Sequence, residues 1–403
     1  MAKVSAGRRV VGNRIADIRR VVSTVFDGRS REFSTLIGII IFTAIFGAVM
    51  VFSSSYVDSV KNQNGPFGSM KSELFGMGFG FIALIWFAYI RPESARRFGP
   101  ILTITFVFLQ LVVLLTPLGI SVNGNRNWLN LYIFSLQPSE FLKIAMIMAV
   151  ASMVVTQKNY SPDEPKFWIG PISYFAVLFL LVGLISKDMG TMIVMAAILY
   201  GMFYMGGMSS RLVRWMSITV LAGIPLILML GGSRKGRILA WLFPNNPDPN
   251  QYNWQADHGK WAFASGGLFG TGLGNSQMKW SWIPEAQNDF IFAIIGEEWG
   301  LVGSLIVIAL FVFLGITLFR IAKKTNDQYQ RLFVYGVTFW IMSQAFINIS
   351  VVLTMFPVLG VNLPLISAGG TSMTATLMAL GMVLGIERNN HSRPALRVVS
   401  NRR

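Results

Sequence analysis

The sequence predicts an all-α polytopic membrane protein of ten transmembrane helices, with a long ordered extracytoplasmic loop between the seventh and eighth. Three observations carry that prediction. Of 403 residues, 53% are hydrophobic and only 13% charged, about half the charged share of ~25% usual in soluble domains. Apolar runs long enough to cross a bilayer recur from residue 35 to residue 386. Basic residues gather in alternate connections between those runs.

Residues 1–34 form a polar, basic tail with no cleavable signal, so the first span is expected to remain as an uncut anchor. Within the tail, Val11, Ile15, Ile18, Val22 and Val25 recur at helical spacing with Arg14, Arg19 and Arg20 between them. An amphipathic helix on the membrane surface and a plain basic arm both fit that pattern. The spans then fall near 35–53, 74–90, 99–118, 139–156, 167–186, 189–208, 211–231, 289–319, 332–358 and 363–386. An even number puts both tails on one side. Lys and Arg crowd the N-terminal tail, the connections holding Arg91, Arg96 and Arg97, Lys158 and Lys166, Arg211 and Arg214, and Arg320 to Arg331, and the 388–403 tail. The opposite short connections carry only Lys61, Lys71, Arg126 and Lys187. The positive-inside rule therefore predicts both termini in the cytoplasm. The net charge of +16 then faces anionic lipid, and nucleic acid is not needed to explain it.

A membrane domain over 35–387 thus lies between two basic tails. Its long outer loop, 232–288, is not filler. Trp241, Trp254, Trp261, Trp280 and Trp282 mark packed or interfacial material, prolines 244, 247 and 249 break helix, and the run GGLFGTGLG permits tight turns and close approach. Long ordered loops are more often functional than decorative, so the outer face is where a site is sought.

Ionisable residues in or beside a span are costly and are functional candidates by default. They are Glu140, Lys143, Asp188, Asp289, Glu297 and Glu298. Glu140 and Lys143, three apart, suit a structural pair. Asp188 beside Lys187 reads as an exposed turn pair. Asp289 follows Pro284, which suits a first helical turn, and Asn288, a good N-cap. On a continuous helix Glu297 lies about 12 Å beyond Asp289, outside the roughly 5–9.5 Å of paired hydrolytic carboxylates. Glu297 and Glu298 therefore read as structural and Asp289 as a lone base at the outer mouth. A lone base suits transfer chemistry in which the leaving group needs no proton, such as a pyrophosphate. Arg126, Arg234, Lys235, Arg237 and Lys279 supply outer-face cations for a phosphate, arginine with bidentate geometry. Ordinary solvated loop charge is the bland alternative for any one of them. Gln344 and Asn348, and Ser367 to Thr371, read first as small and polar packing residues between helices.

Other chemistries find little support. The chain has no cysteine, His258 and His391 have no partners at metal spacing, and GGLFGTGLG has no βαβ unit around it. Two histidines on opposite sides of the membrane leave no Ser-His-Asp arrangement.

The stretches IPEAQNDFIFAIIGEEWGLVG, NRNWLNLYIFSLQPSEFLK, ASGGLFGTGLGNSQMKW and PVLGVNLPLISAGGTS, in this order across ten spans, resemble the SEDS family of bacterial cell-wall polymerases, FtsW and RodA. NDFIFAIIGEE and LISAGGTS are closer in wording to the FtsW members. The resemblance implies a ten-helix fold and a glycosyltransferase that polymerises lipid II at the outer face of the bacterial cytoplasmic membrane, for septal synthesis. It also implies a class B penicillin-binding protein as partner. The family's essential aspartate falls on Asp289, with Glu285, Lys279, Arg237 and Arg126 matching its substrate-contacting motifs. Gln287 stands where the family often has histidine, which puts a proton shuttle there in doubt. In the mechanism so implied, Asp289 takes the proton of the acceptor's 4-hydroxyl and undecaprenyl pyrophosphate leaves. A divalent cation, Mg or Mn, is compatible with that leaving group, although no ligand set in the sequence demands one. A lipid II flippase and a side-wall, RodA-type polymerase are the alternatives.

Overall fold

A computed structural model describes residues 30–61, 70–122, 125–131, 135–229, 233–246, 248, 251–280, 282–284 and 286–400. The tail segment 11–25 and Glu285 lie outside the described residues. Among those described, seven helices are long and apolar enough to cross a membrane: Arg31–Tyr56, Pro92–Leu115, Pro138–Thr156, Pro165–Ile185, Ile291–Lys324, Gln328–Val352 and Gly370–His391. Two shorter apolar helices, Glu73–Tyr89 and Met189–Met205, accompany them.

In chain order the helices are α1 (Arg31–Lys61), α2 (Met70–Tyr89), α3 (Pro92–Arg96), α4 (Phe98–Leu115), α5 (Pro138–Thr156), α6 (Ile169–Leu178), α7 (Met189–Met205) and α8 (Ser210–Met229). They continue with α9 (Ser233–Leu242), α10 (Trp254–Gly266), α11 (Ile291–Lys324), α12 (Gln328–Val352) and α13 (Gly370–Ser400). One departure from the expected all-α chain is a small antiparallel sheet, β1 (Gly119–Val122), β2 (Asn125–Asn130) and β3 (Ser135–Leu136), in that order. It pairs Gly119 with Leu129 and Leu129 with Leu136. The expected third span, 99–118, runs past the end of α4 at Leu115 up to the sheet, because Leu118 extends the apolar run.

The most extensive helix pair is α2 with α13, and small residues make it possible. A Cβ on Gly76 would strike the Gly370 backbone, and one on Gly381 would lie 2.5 Å from the Leu84 carbonyl oxygen. Such close approach replaces hydrophobic driving force inside a membrane, where lipid is as apolar as leucine. The Thr374 hydroxyl bridges the two helices, donating to the Gly76 carbonyl at 2.9 Å. At the centre α5 is buried along most of its length, against α4, α7, α12 and α13.

Helix α11 is broken at Gly300 (φ 67°, ψ −161°). A break exposes backbone groups that must find partners, and the glycine loop supplies them. Leu301 and Val302 donate to the Gly267 and Leu268 carbonyls at 2.9 and 3.1 Å, while Thr271 and Gly272 donate to Glu297 and Glu298 carbonyls at 2.9 and 3.1 Å. A Cβ on Gly270 would overlap the Glu298 backbone, so only glycine fits there. Within the segment between α8 and α11, the glycine loop is thus seated against α11, and α10 packs along it.

Candidate active site

Where α5, α7, α12 and the start of α13 converge with the sheet and the turn before α11, they enclose a cavity of about 530 Å³. Its lining includes Asp289, Asn288 and Gln287, Arg237 from α9, Gln255 from α10, Glu140 and Lys143 from α5, Asp188, and Glu73 from α2. Asp289 does not lie on the helix. The helix starts at Ile291 with Phe290 as its cap residue, so neither Pro284 nor Asn288 takes the expected place at its start. Asn348 of α12 fixes the turn instead, its Nδ2 donating to the Asp289 carbonyl at 2.8 Å and the Val361 carbonyl at 2.7 Å. Gly360, at φ 69°, passes closely enough that a Cβ there would lie 3.4 Å from Asp289 Oδ2. Asn348 therefore does more than pack helices: it positions the turn that carries Asp289.

Deeper in the cavity Lys143 Nζ bonds Glu140 Oε1 and Gln344 Oε1, both at 2.9 Å, and sits 4.7 Å from the centre of the Trp340 ring. The pair is a buried structural bridge, as its spacing suggests, and also part of the cavity wall. Gln344 in turn accepts from Trp340 Nε1 at 2.7 Å and donates to the Asn362 carbonyl at 3.0 Å. Asp188 corrects its expected exposed turn pair. It is 6% exposed, caps α7 by accepting Thr191 N at 3.0 Å and its hydroxyl at 2.8 Å, and receives Gln137 Nε2 at 3.2 Å. Burial pushes its carboxyl above the usual aspartate range, against those hydrogen bonds.

Of the residues expected to hold substrate, the cavity gathers Asp289 and Arg237 and leaves two others aside. Lys279 is buried in a salt bridge to Glu298 at 3.0 Å, with further bonds to the Gly274 carbonyl at 2.5 Å and Ser53 Oγ at 3.4 Å. Arg126 does not line the cavity, although its strand neighbours Asn125 and Asn127 do. Adjacent strand residues point to opposite faces, and Arg126 Nη2 turns back to the Thr116 carbonyl at 2.6 Å. Glu297 is likewise structural, accepting Ser276 Oγ at 2.5 Å and the Gln277 N–H at 2.8 Å. The sequence reading missed Glu73, because it falls one residue outside the expected second span, and Asn127, because nothing local marks a short strand. Among the described residues no group of three His, Cys, Asp or Glu side chains could hold a metal ion.

The family model for the cell cycle proteins FtsW, RodA and SpoVE matches residues 33–392. The chain belongs to this family. It is 35% identical over 363 residues to the probable peptidoglycan glycosyltransferase FtsW of Mycobacterium tuberculosis, covering 89% of this chain and 68% of that protein. The FtsW of Trichlorobacter lovleyi, also named a probable peptidoglycan glycosyltransferase, is 34% identical over 85% of this chain and 89% of its own. Stage V sporulation protein E of Bacillus subtilis is 33% identical over 85% and 93%. Among solved structures, a chain of a peptidoglycan synthase complex that coordinates polymerization and crosslinking superposes with a TM-score of 0.72 at 24% identity, covering 88% of this chain and 97% of its own. The rod shape determining protein RodA of Thermus thermophilus gives 0.63 at 23% identity, over 88% and 96%. These two likenesses concern the fold. The sequence relatives place the chain nearest the FtsW members.

Proposed function

We propose that this protein is a peptidoglycan glycosyltransferase that polymerises lipid II into glycan strands, in the manner of the FtsW proteins it resembles, for wall synthesis in division. The observation that carries this reading is the cavity of about 530 Å³ whose lining includes both Asp289 and Arg237, in a chain of this family. Asp289 accepts the proton of the 4-hydroxyl on the acceptor's N-acetylglucosamine. That oxygen forms a bond to the anomeric carbon of the donor chain's N-acetylmuramic acid as the bond to undecaprenyl pyrophosphate breaks. Attack opposite the leaving group turns the α-linked donor into a β-linked product. The Arg237 guanidinium is the cation assigned to the departing pyrophosphate, whose charge a fixed positive group stabilises in a partly dry site. Lys279 is not assigned to it, because its charge is paired with Glu298, and Arg126 is not, because it does not line the cavity. Asn348 and Gly360 hold the Asp289 turn in place.

In this reading ten helices cross the cytoplasmic membrane, with Glu73–Tyr89, Met189–Met205 and Ser210–Met229 completing the seven longer ones. Both termini are cytoplasmic, following the basic connections, and the cavity opens outward. The partner is a class B penicillin-binding protein, in keeping with the synthase complex whose chain has this fold. The test is the purified chain with its cognate transpeptidase, supplied with lipid II in detergent. Detergent removes any need for transport, so long glycan requires polymerisation. Polymer supports the assignment, and its absence from a folded complex favours the flippase.

A further inference from the structure

Glu73 has no part in the chemistry above, yet it lines the same cavity. It is 2% exposed. One carboxylate oxygen accepts the Gly369 N–H at 2.7 Å, and the other, Oε1, has no hydrogen-bond partner among the described residues. The preceding N–H, that of Ala368, goes to the Gln287 carbonyl at 2.9 Å. The dipeptide Ala368–Gly369 thus ties Glu73 to the turn that carries Asp289 two residues further on.

Three more cavity-lining oxygens are in the same condition. Glu140 Oε2, Asn127 Oδ1 and Gln287 Oε1 are buried atoms without a partner among the described residues, and Glu140 and Asn127 are 3% and 4% exposed as whole residues. All of these atoms are hydrogen-bond acceptors. The lining cation Lys143 is already committed to Glu140 and Gln344. Buried polar groups are almost always paired in native proteins, so this wall is shaped for a ligand that brings donors. A phosphate or pyrophosphate offers acceptors only and is disfavoured against it. A neutral N-acetylated sugar presents several hydroxyl donors and one amide N–H in a compact volume.

We infer that the Glu73 side of the cavity is a sugar subsite in which Glu73 Oε1 accepts a hydrogen bond from a hydroxyl or acetamide N–H of an N-acetylhexosamine unit. Gln287, tied to Glu73 through Ala368–Gly369, is the acceptor next to it. The subsite rests on the polymerase reading and goes beyond it by naming a specificity residue.

The test compares wild type with Glu73→Gln, full chain with its transpeptidase, in the lipid II polymerisation assay and in thermal unfolding. Glutamine keeps an oxygen for the Gly369 N–H and turns an NH₂ donor towards the cavity. An acceptor wall that binds sugar raises KM about 5- to 150-fold, the range for an unsatisfied buried polar contact, while the melting temperature is unchanged. A Glu73 that merely anchors the 363–370 segment, or faces only water, gives wild-type KM in Glu73→Gln, and that result overturns the inference while leaving the polymerase reading intact. Absence of polymer from wild type overturns both together. If Glu73→Gln does not fold, Gln287→Met removes an acceptor at similar volume with the same expected rise in KM, and an unchanged KM there overturns the inference. A lipid II analogue with an acetate ester in place of the acetamide locates the donor. Loss of affinity in wild type but not in the variant assigns the amide N–H, and a KM defect in the variant without that selectivity assigns a sugar hydroxyl.

Discussion

Replacing Lys279 by methionine removes one half of a buried ion pair and leaves the other. The pair is 3.0 Å apart, with side chains 5% and 0% exposed. After the change Glu298 keeps the Ser53 hydroxyl at 2.7 Å, and the Gly274 carbonyl loses its donor. Breaking a buried bridge from one side costs about 3–5 kcal/mol, because the remaining charge stays in a poorly solvating interior. The cost falls on stability, since Lys279 ties the 267–279 segment to α1 and to the break in α11, not on the cavity. Thermal unfolding of the purified protein in detergent is the assay, with lipid II polymerisation measured on the folded fraction. The expected result is a clearly lower melting temperature with KM for lipid II near wild type. The double variant Lys279→Met/Glu298→Gln recovers most of the lost stability, because no unpaired charge remains. A Lys279→Met protein that melts like wild type but shows a raised KM would refute this reasoning and return Lys279 to the substrate.

Two further outcomes follow from the cavity wall. Asn348→Leu removes the bonds to the Asp289 and Val361 carbonyls; a base displaced by about 1 Å costs on the order of 100-fold, so the expected change is a fall in kcat of that order with a smaller change in KM, read by steady-state polymerisation. Asp188→Asn keeps an acceptor for the Thr191 N–H and removes a buried carboxyl whose folded pKa lies above its unfolded value near ~3.9. The folded wild type therefore holds a proton that the unfolded chain has released, and its stability declines as pH rises through that window. Asp188→Asn should melt higher than wild type at neutral pH, with the gain vanishing towards about pH 4.

Much of the architecture was legible because membrane spans announce themselves by composition. Each of the seven long spans overlaps an expected run, most closely at Pro138–Thr156 and Pro165–Ile185; the overrun at α11 arises because the helix continues through polar Arg320, Lys323 and Lys324. The sheet was not legible, since NRNWLN carries no alternation strong enough to separate a six-residue strand from a loop. Asp289 stood out because a carboxylate beside an apolar run is expensive. The same rule gave Asp188 too little weight: a sequence cannot tell a turn exposed to water from one folded against a cavity. Arg126 and Lys279 show the converse limit. A loop cation looks available until the structure reveals which carbonyl or carboxylate already holds it. The roles of Asn348 and Glu73 depend on partners 59 and 296 residues away in the chain, a separation that no local motif encodes.

The central claim is that Asp289 is the base of a glycan polymerase, and polymerisation of lipid II by Asp289→Asn tests it most directly. Asparagine keeps the size of the side chain and leaves the backbone carbonyl free to accept from Asn348, so the variant should fold and bind its transpeptidase like wild type. The account predicts long glycan from wild type and none from Asp289→Asn. Polymer of similar length and rate from both proteins would contradict it.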